Sequence, residues 1–268
     1  MRVALAVPCY VDQLRPAAAK ATLALLERLG CEVSLEFSAP CCGQPMTNTG
    51  AFDDARATAA SWAASAARHD AVVMPSGSCV HQVRHQLPAL VPGAAGAHAA
   101  RVTFELCEFI AGPLGMPHLA GTFPHRVAMH LGCHAQRGLR LGGSTELHQP
   151  IGGPMHALLS SLEGVTLVPL DRRDECCGFG GSFSIGEPGL STAMGRDRLR
   201  DFAVHEAEVI VSSDVSCLIH LESVMMGGVS LGPQDRTYGA AAPGGPANPG
   251  ASPLRTLHIA ELLEEATR

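Results

Sequence analysis

Short apolar runs alternate with helical stretches along most of this chain. Residues 3–8 form a compact apolar run without helical period and read as a buried strand. Pro16 to Leu29 carries Leu23, Leu25, Leu26 and Leu29 on one helical face, with Gly30 at the expected stop. Cys31 to Phe37 alternates as a strand does, and Pro40 to Pro45 is a loop. A second, alanine-rich helix is expected over 51–69, then a strand over Ala71–Met74 that runs into Pro75-Ser76-Gly77-Ser78-Cys79. A helical connection (about 99–111) follows, and the scheme restarts. Val127–Leu131 reads as a strand, Pro154–Leu162 as a helix, Val165–Leu170 as a strand, 190–205 as a helix and Val209–Ser212 as a strand.

Strands alternating with helices imply parallel sheets, so the expected class is α/β. The pattern predicts two pseudo-repeated domains, 1–115 and 116–268, each a small parallel sheet flanked by helices. Residues 227–253, rich in Gly, Ala and Pro, have no core-forming pattern and read as a flexible insertion at about 228–253. A short helix, Thr256 to Ala266, is expected to close the chain with Leu257, Ile259, Leu262 and Leu263 docked back.

Composition narrows the function classes. At 268 residues, 46% hydrophobic and 16% charged, the chain has ample material for a core. Net charge is −6, and Lys20 is the single lysine. Aromatic residues are few, so neither a nucleic-acid surface nor a base-stacking platform is expected. No apolar stretch approaches the roughly 20 residues that span a bilayer. The run after Met1 is too short for a signal segment, and a cytoplasmic location, where thiols stay reduced, is expected.

The chemistry is carried by cysteine. Cys41-Cys42-Gly43 and Cys176-Cys177-Gly178 repeat one motif, each preceded by a lone cysteine (Cys9, Cys133) and followed by another (Cys79, Cys217). The gaps agree: Cys9 to Cys41 is 32 positions and Cys133 to Cys176 is 43; Cys42 to Cys79 is 37 and Cys177 to Cys217 is 40. Eight of the ten cysteines thus fall into two quartets. Each member follows a predicted strand's carboxyl end, where parallel sheets gather their ligands. Neighbouring Cα atoms about 3.8 Å apart are badly placed for a disulfide, whereas four gathered thiolates suit zinc or iron–sulfur. Gly43 and Gly178 let the backbone pass close to a bulky group.

Ser76 and Asp214 stand three residues before Cys79 and Cys217. Both are read first as helix N-caps, with either oxygen in reach of a metal as the alternative. Cys31 and Cys107 fall on apolar faces and read as small core residues. His130 and His134 flank Cys133; the preferred reading is a strand-end histidine bonded to backbone, the alternative a ligand or proton carrier. His81 and His85 share a helix face, but the sequence offers no third ligand. Gly178-Phe179-Gly180-Gly181 lacks dinucleotide-loop spacing.

These motifs resemble the cysteine-rich CCG domain, found twice in heterodisulfide reductases, glycolate oxidase iron–sulfur proteins and the lactate utilization A family. The resemblance is closest to the last. It rests on Cys9-Tyr10-Val11-Asp12, Leu26 to Val33, Cys41-Cys42-Gly43-Gln44-Pro45, Pro75 to Cys79, Cys176 to Gly181 with Phe183-Ser184, and His258-Ile259-Ala260-Glu261. It covers nearly the whole chain, departing at the 228–253 insertion and at Leu221-Glu222-Ser223, where the relatives have a glycine-containing turn.

The resemblance implies one or two iron–sulfur clusters, [4Fe-4S] in type, on Cys9, Cys41, Cys42 and Cys79 and on Cys133, Cys176, Cys177 and Cys217. It implies electron transfer in the oxidation of lactate, or another 2-hydroxy acid, by an oxidoreductase subunit and not a self-sufficient enzyme. The expected partners are a ferredoxin-like iron–sulfur subunit and a third subunit, because the chain lacks a CxxCxxCxxxCP run. In the heterodisulfide reductase relatives five cysteines hold each cluster. Ser76 and Asp214 occupy that fifth position here, so the disulfide-cleaving activity is not carried over. The alternatives are a zinc-binding scaffold, or a thiol/disulfide redox protein of the heterodisulfide reductase type.

Overall fold

The computed structural model describes residues 1–35, 37–227 and 254–268. Two four-stranded sheets, parallel throughout, repeat one plan. The first contains β1 (Arg2–Leu5), β2 (Glu32–Ser34), β3 (Val72–Met74) and β4 (Thr103–Glu105), in the order β2-β1-β3-β4. The second contains β5 (Arg126–Met129), β6 (Thr166–Leu167), β7 (Val209–Ser212) and β8 (Arg255–His258), in the order β6-β5-β7-β8. Register places Leu5 beside Val73 and Ala128 beside Ile210. The central strands β3 and β7 are buried along their whole length, as covered parallel sheets require.

The helices expected over 16–29, 51–69, 154–162 and 190–205 appear as Pro16–Arg28, Phe52–Ala66, Pro154–Ser160 and Pro188–Val204. The edge strands β2 and β6 are shorter than the apolar runs that announced them. An edge strand pairs on one side only, and here the chain peels away early to carry each Cys-Cys-Gly loop over the sheet. Leu221-Glu222-Ser223 is helical, within Val215–Met226. The expected insertion at 228–253 lies outside the described residues.

The fourth strand of each sheet corrects the sequence reading. Residues 103–105 were expected inside a helix, and 256–258 inside the closing helix; both are strands. Each passes into a helix with no turn between, Leu106–Ala111 and Ile259–Ala266. In both, the last strand residue caps the helix through a capping box, Glu105 with Glu108 and His258 with Glu261. A strand of three or four residues fused to a helix leaves no punctuation for periodicity to detect.

One hydrophobic cluster runs through both halves, joining Leu25 and Ile110 of the first to Leu158, Val211 and Leu263 of the second. The helix Ile259–Ala266 packs on the helix Pro16–Arg28. Arg15 ties the same seam: its Nε donates to Glu261 at 3.0 Å, and Nη1 to Glu222 at 2.9 Å. Cys31 and Cys107 lie in the shared cluster, as small buried residues. The strand ends of the two sheets are thereby held beside one another.

Candidate metal centre

Each quartet converges. Cys9 follows β1 at the start of the helix Cys9–Leu14, and Cys79 follows β3 in the helix Gly77–His81. The Cys41-Cys42 loop arches between them. Thiol hydrogen bonds run in a chain from Cys9 to Cys41, Cys42 and Cys79. The second quartet repeats the chain from Cys133 to Cys176, Cys177 and Cys217. All ten cysteines are free thiols.

The same sulfur is acidified in both halves. Hydrogen bonds from Cys42 and then Cys9 pull Cys41 down to about 2. Those from Cys133 and then Cys177 do the same to Cys176, also to about 2. A backbone N–H adds to each, Gly43 donating to Cys41 Sγ at 3.4 Å and Gly178 to Cys176 Sγ at 3.3 Å. Cys9 and Cys133 move upward, chiefly because each gives its proton to the acidified neighbour. Cys42 and Cys177 are raised by hydrogen bonding and burial.

Gly43 has φ +87° and Gly178 φ +92°, the left-handed region that turns the loop back over its sulfurs. A Cβ on Gly178 would lie 2.5 Å from the Ser191 carbonyl oxygen. A Cβ on Gly43 would make only ordinary contacts, the nearest to Thr58 at 3.6 Å.

All eight quartet cysteines line one cavity of ≈ 410 Å³ between the two halves. Tyr10 and Phe179, one from each half, meet edge to face at 5.8 Å on its wall. Gln44 and His134 line it as well, joined at 3.2 Å between Nε2 and Nδ1. No motif points to these four as a set; they become neighbours only when the halves meet.

Ser76 caps as expected, its Oγ accepting the Cys79 N–H at 3.3 Å. Asp214 does not cap. It holds the N-cap position, but its carboxylate turns across the seam. Oδ1 accepts from Ser76 Oγ at 2.9 Å, Ser78 N at 3.0 Å and Ser78 Oγ at 2.8 Å, while Oδ2 is buried without a partner among the described residues. The first half's loop therefore competed successfully for an oxygen that its own helix would have used. Both residues line the cavity.

His130 and His134 also depart from their preferred reading. His130 Nδ1 accepts from the side chain of Arg198, not from backbone, and burial with the nearby guanidinium holds it down at about 3. A ring nitrogen of His130 lies within 4.8 Å of the Cys177 and Cys217 sulfurs. His81 stacks on His134 at 4.7 Å and 13° and leans on His85 at 4.8 Å, a face-to-face arrangement unlike that of convergent ligands.

The donor set is chemically specific. Four soft sulfurs per half fit zinc or an iron–sulfur group. Buried, unpartnered polar atoms beside them, Asp214 Oδ2 and His130 Nε2, are what a site for a larger polar group would leave. Among the described residues no helix is long and apolar enough to cross a membrane.

The cysteine-rich CCG domain family matches this chain twice, over residues 3–84 and 127–222. Relatives named lactate utilization protein A align over nearly the full length. That of Exiguobacterium sp. AT1b is 34% identical over 99% of this chain and 98% of its own. Those of Geobacillus thermodenitrificans (31%, 98% of each chain) and Bacillus subtilis (32%, 98% and 99%) are similar.

Proposed function

The chain belongs to the cysteine-rich CCG domain family, and from that premise we propose that it is an iron–sulfur electron-transfer subunit in the oxidation of lactate to pyruvate. Cys9, Cys41, Cys42 and Cys79 hold one cluster, and Cys133, Cys176, Cys177 and Cys217 the other. The observation that carries this reading is the convergence of two free-thiol quartets on one cavity. A lone four-coordinate zinc in each quartet would give that shared space no purpose.

An iron–sulfur cluster supplies one-electron transfer when bound. The chain's own residues supply the rest. Cys41 and Cys176 are acidified before any metal arrives, so each quartet offers a thiolate first and gives up its remaining protons on binding. The Gly43 and Gly178 N–H groups donate to sulfur and offset its negative charge. Burial shields Cys42, Cys79, Cys177 and Cys217 from water, while Cys133 stays exposed.

The substrate reading comes from the relatives' printed names. With no ferredoxin-type run in the chain, a ferredoxin-like subunit and a third subunit of the same system are the proposed partners. The test is Cys42→Ser and Cys177→Ser, with cluster absorbance on purified protein and growth on lactate as readouts. Each variant is expected to keep only the iron of the other quartet and to fail on lactate. Full iron in both variants would overturn the ligand assignment, and normal growth on lactate the substrate.

A further inference from the structure

Behind the second quartet lies a polar stack that has no counterpart among the described residues behind the first. Arg198 is fully buried, its guanidinium over the Phe202 ring at 4.5 Å. Nη1 donates to Asp201 Oδ2 at 2.9 Å and to the Arg172 carbonyl at 2.6 Å; Nη2 donates to the Arg173 carbonyl at 3.2 Å. The Nε N–H donates to His130 Nδ1 at 3.3 Å.

That last bond fixes a tautomer. A guanidinium only donates, so Nδ1 must present its lone pair. A ring protonated at Nδ1 would set one N–H against another. His130 is therefore neutral with its proton on Nε2. Nε2 is buried and has no partner among the described residues, and a buried N–H without an acceptor is costly. Sulfurs that can accept stand nearby, a His130 ring nitrogen lying within 4.8 Å of those of Cys177 and Cys217.

Among the described residues the first half holds nothing equivalent. Ala6 stands three residues before Cys9, as His130 stands before Cys133. The position of a Cβ on Gly43 faces the Ala55 carbonyl, and that on Gly178 faces the Ser191 carbonyl, which aligns the two flanking helices. Counting forward equally from each, Trp62 falls where Arg198 falls. Trp62 is buried against Phe37 at 4.7 Å.

We propose that His130 Nε2–H is a fixed hydrogen-bond donor to sulfur in the second cluster, not a metal ligand, and that it makes this cluster the higher-potential one of the two. Donation to sulfur favours the more negative, reduced state, so electrons entering at the first quartet run toward the second. Arg198 is the positioning residue that holds the donor's tautomer. The inference rests on the cluster reading above.

The test is an anaerobic redox titration of the cluster-loaded protein, with Cys177→Ser used to assign the signals. Wild type is expected to show two potentials, the second quartet's higher. His130→Leu should lower that one, cutting its reduced-to-oxidised ratio about ten-fold at fixed poise, and leave the other in place. His130→Gln, which keeps an N–H, should restore most of the shift. Unchanged potentials in His130→Leu would overturn the proposal, as would loss of second-quartet iron in both variants, which would make His130 a ligand. Nitrogen-15 NMR of His130 in the metal-free wild type needs neither a variant nor a cluster. It should show the proton on Nε2; a proton on Nδ1 overturns the donor assignment. Wild type without iron and sulfide would instead overturn the cluster reading, whatever the tautomer.

Discussion

The two halves share a strand order, a cysteine chain and a glycine-backed loop, yet they are built on opposite interiors. Behind the first quartet stand Ala6, Trp62 and Phe37, an apolar wall. Behind the second stand His130, Arg198 and Asp201, all buried and bonded to one another or to backbone. The sulfur geometry is thus a property of the topology, and the sulfur environment is a property of the few residues beneath it. A repeated scaffold can hold two like groups at unlike potentials without moving a ligand.

The largest expected effect distinguishes the walls. Arg198→Leu strands the buried Asp201 charge and should cost about 3–5 kcal/mol in urea unfolding. Adding Asp201→Asn removes the stranded charge while keeping an acceptor for the Asp171 N–H, and should recover most of the loss. Trp62→Ala should cost a similar amount, about 3–5 kcal/mol, through cavity formation. An apolar wall leaves no charge partner to neutralise. Failure of the double variant to recover would mean that the second interior is held by packing, like the first.

The loops should differ by less. Gly43→Ala meets only the left-handed backbone penalty, about 1–2 kcal/mol. Gly178→Ala meets that penalty and a clash with the Ser191 carbonyl and Met194, adding about 1–3 kcal/mol. Equal losses, read by denaturation of the metal-free variants, would show that the second loop relaxes freely.

The smallest effect concerns the two capping boxes and separates the halves by pH. Burial raises Glu105 from 4.5 to about 8, so the folded state favours its protonated form. Its contribution is fully present below about pH 4.5 and is lost as pH rises through 8. Burial lowers His258 from 6.5, so its contribution is present above that value and is lost as pH falls through the depressed one. Glu105→Gln should flatten the decline in melting temperature between pH 4.5 and 8, while His258→Asn should leave that limb alone and soften the acid one. A decline unchanged in Glu105→Gln would assign it to other groups.

Much of this architecture was legible in sequence because its signals are local. Apolar runs ending in cysteine marked the central strands β1, β3, β5 and β7, and the doubled Cys-Cys-Gly marked both quartets. What escaped was long-range or unpunctuated. The strands β4 and β8 flow into capped helices without a turn residue. The Asp214 carboxylate reads as a cap until Ser76 and Ser78, from the other half, arrive to claim it. His130 sits beside a cysteine in the sequence, but Arg198, which sets its tautomer, lies far along the chain on another helix. Tyr10, Gln44, His134 and Phe179 share a cavity for the same tertiary reason.

The most direct test of the central claim is iron, zinc and acid-labile sulfide on protein purified without oxygen, with an absorption spectrum before and after dithionite. Iron and sulfide in matching amounts, with a brown colour that bleaches on reduction, are the predicted result. Zinc alone, in a colourless protein that does not respond to dithionite, would contradict it and make both quartets structural.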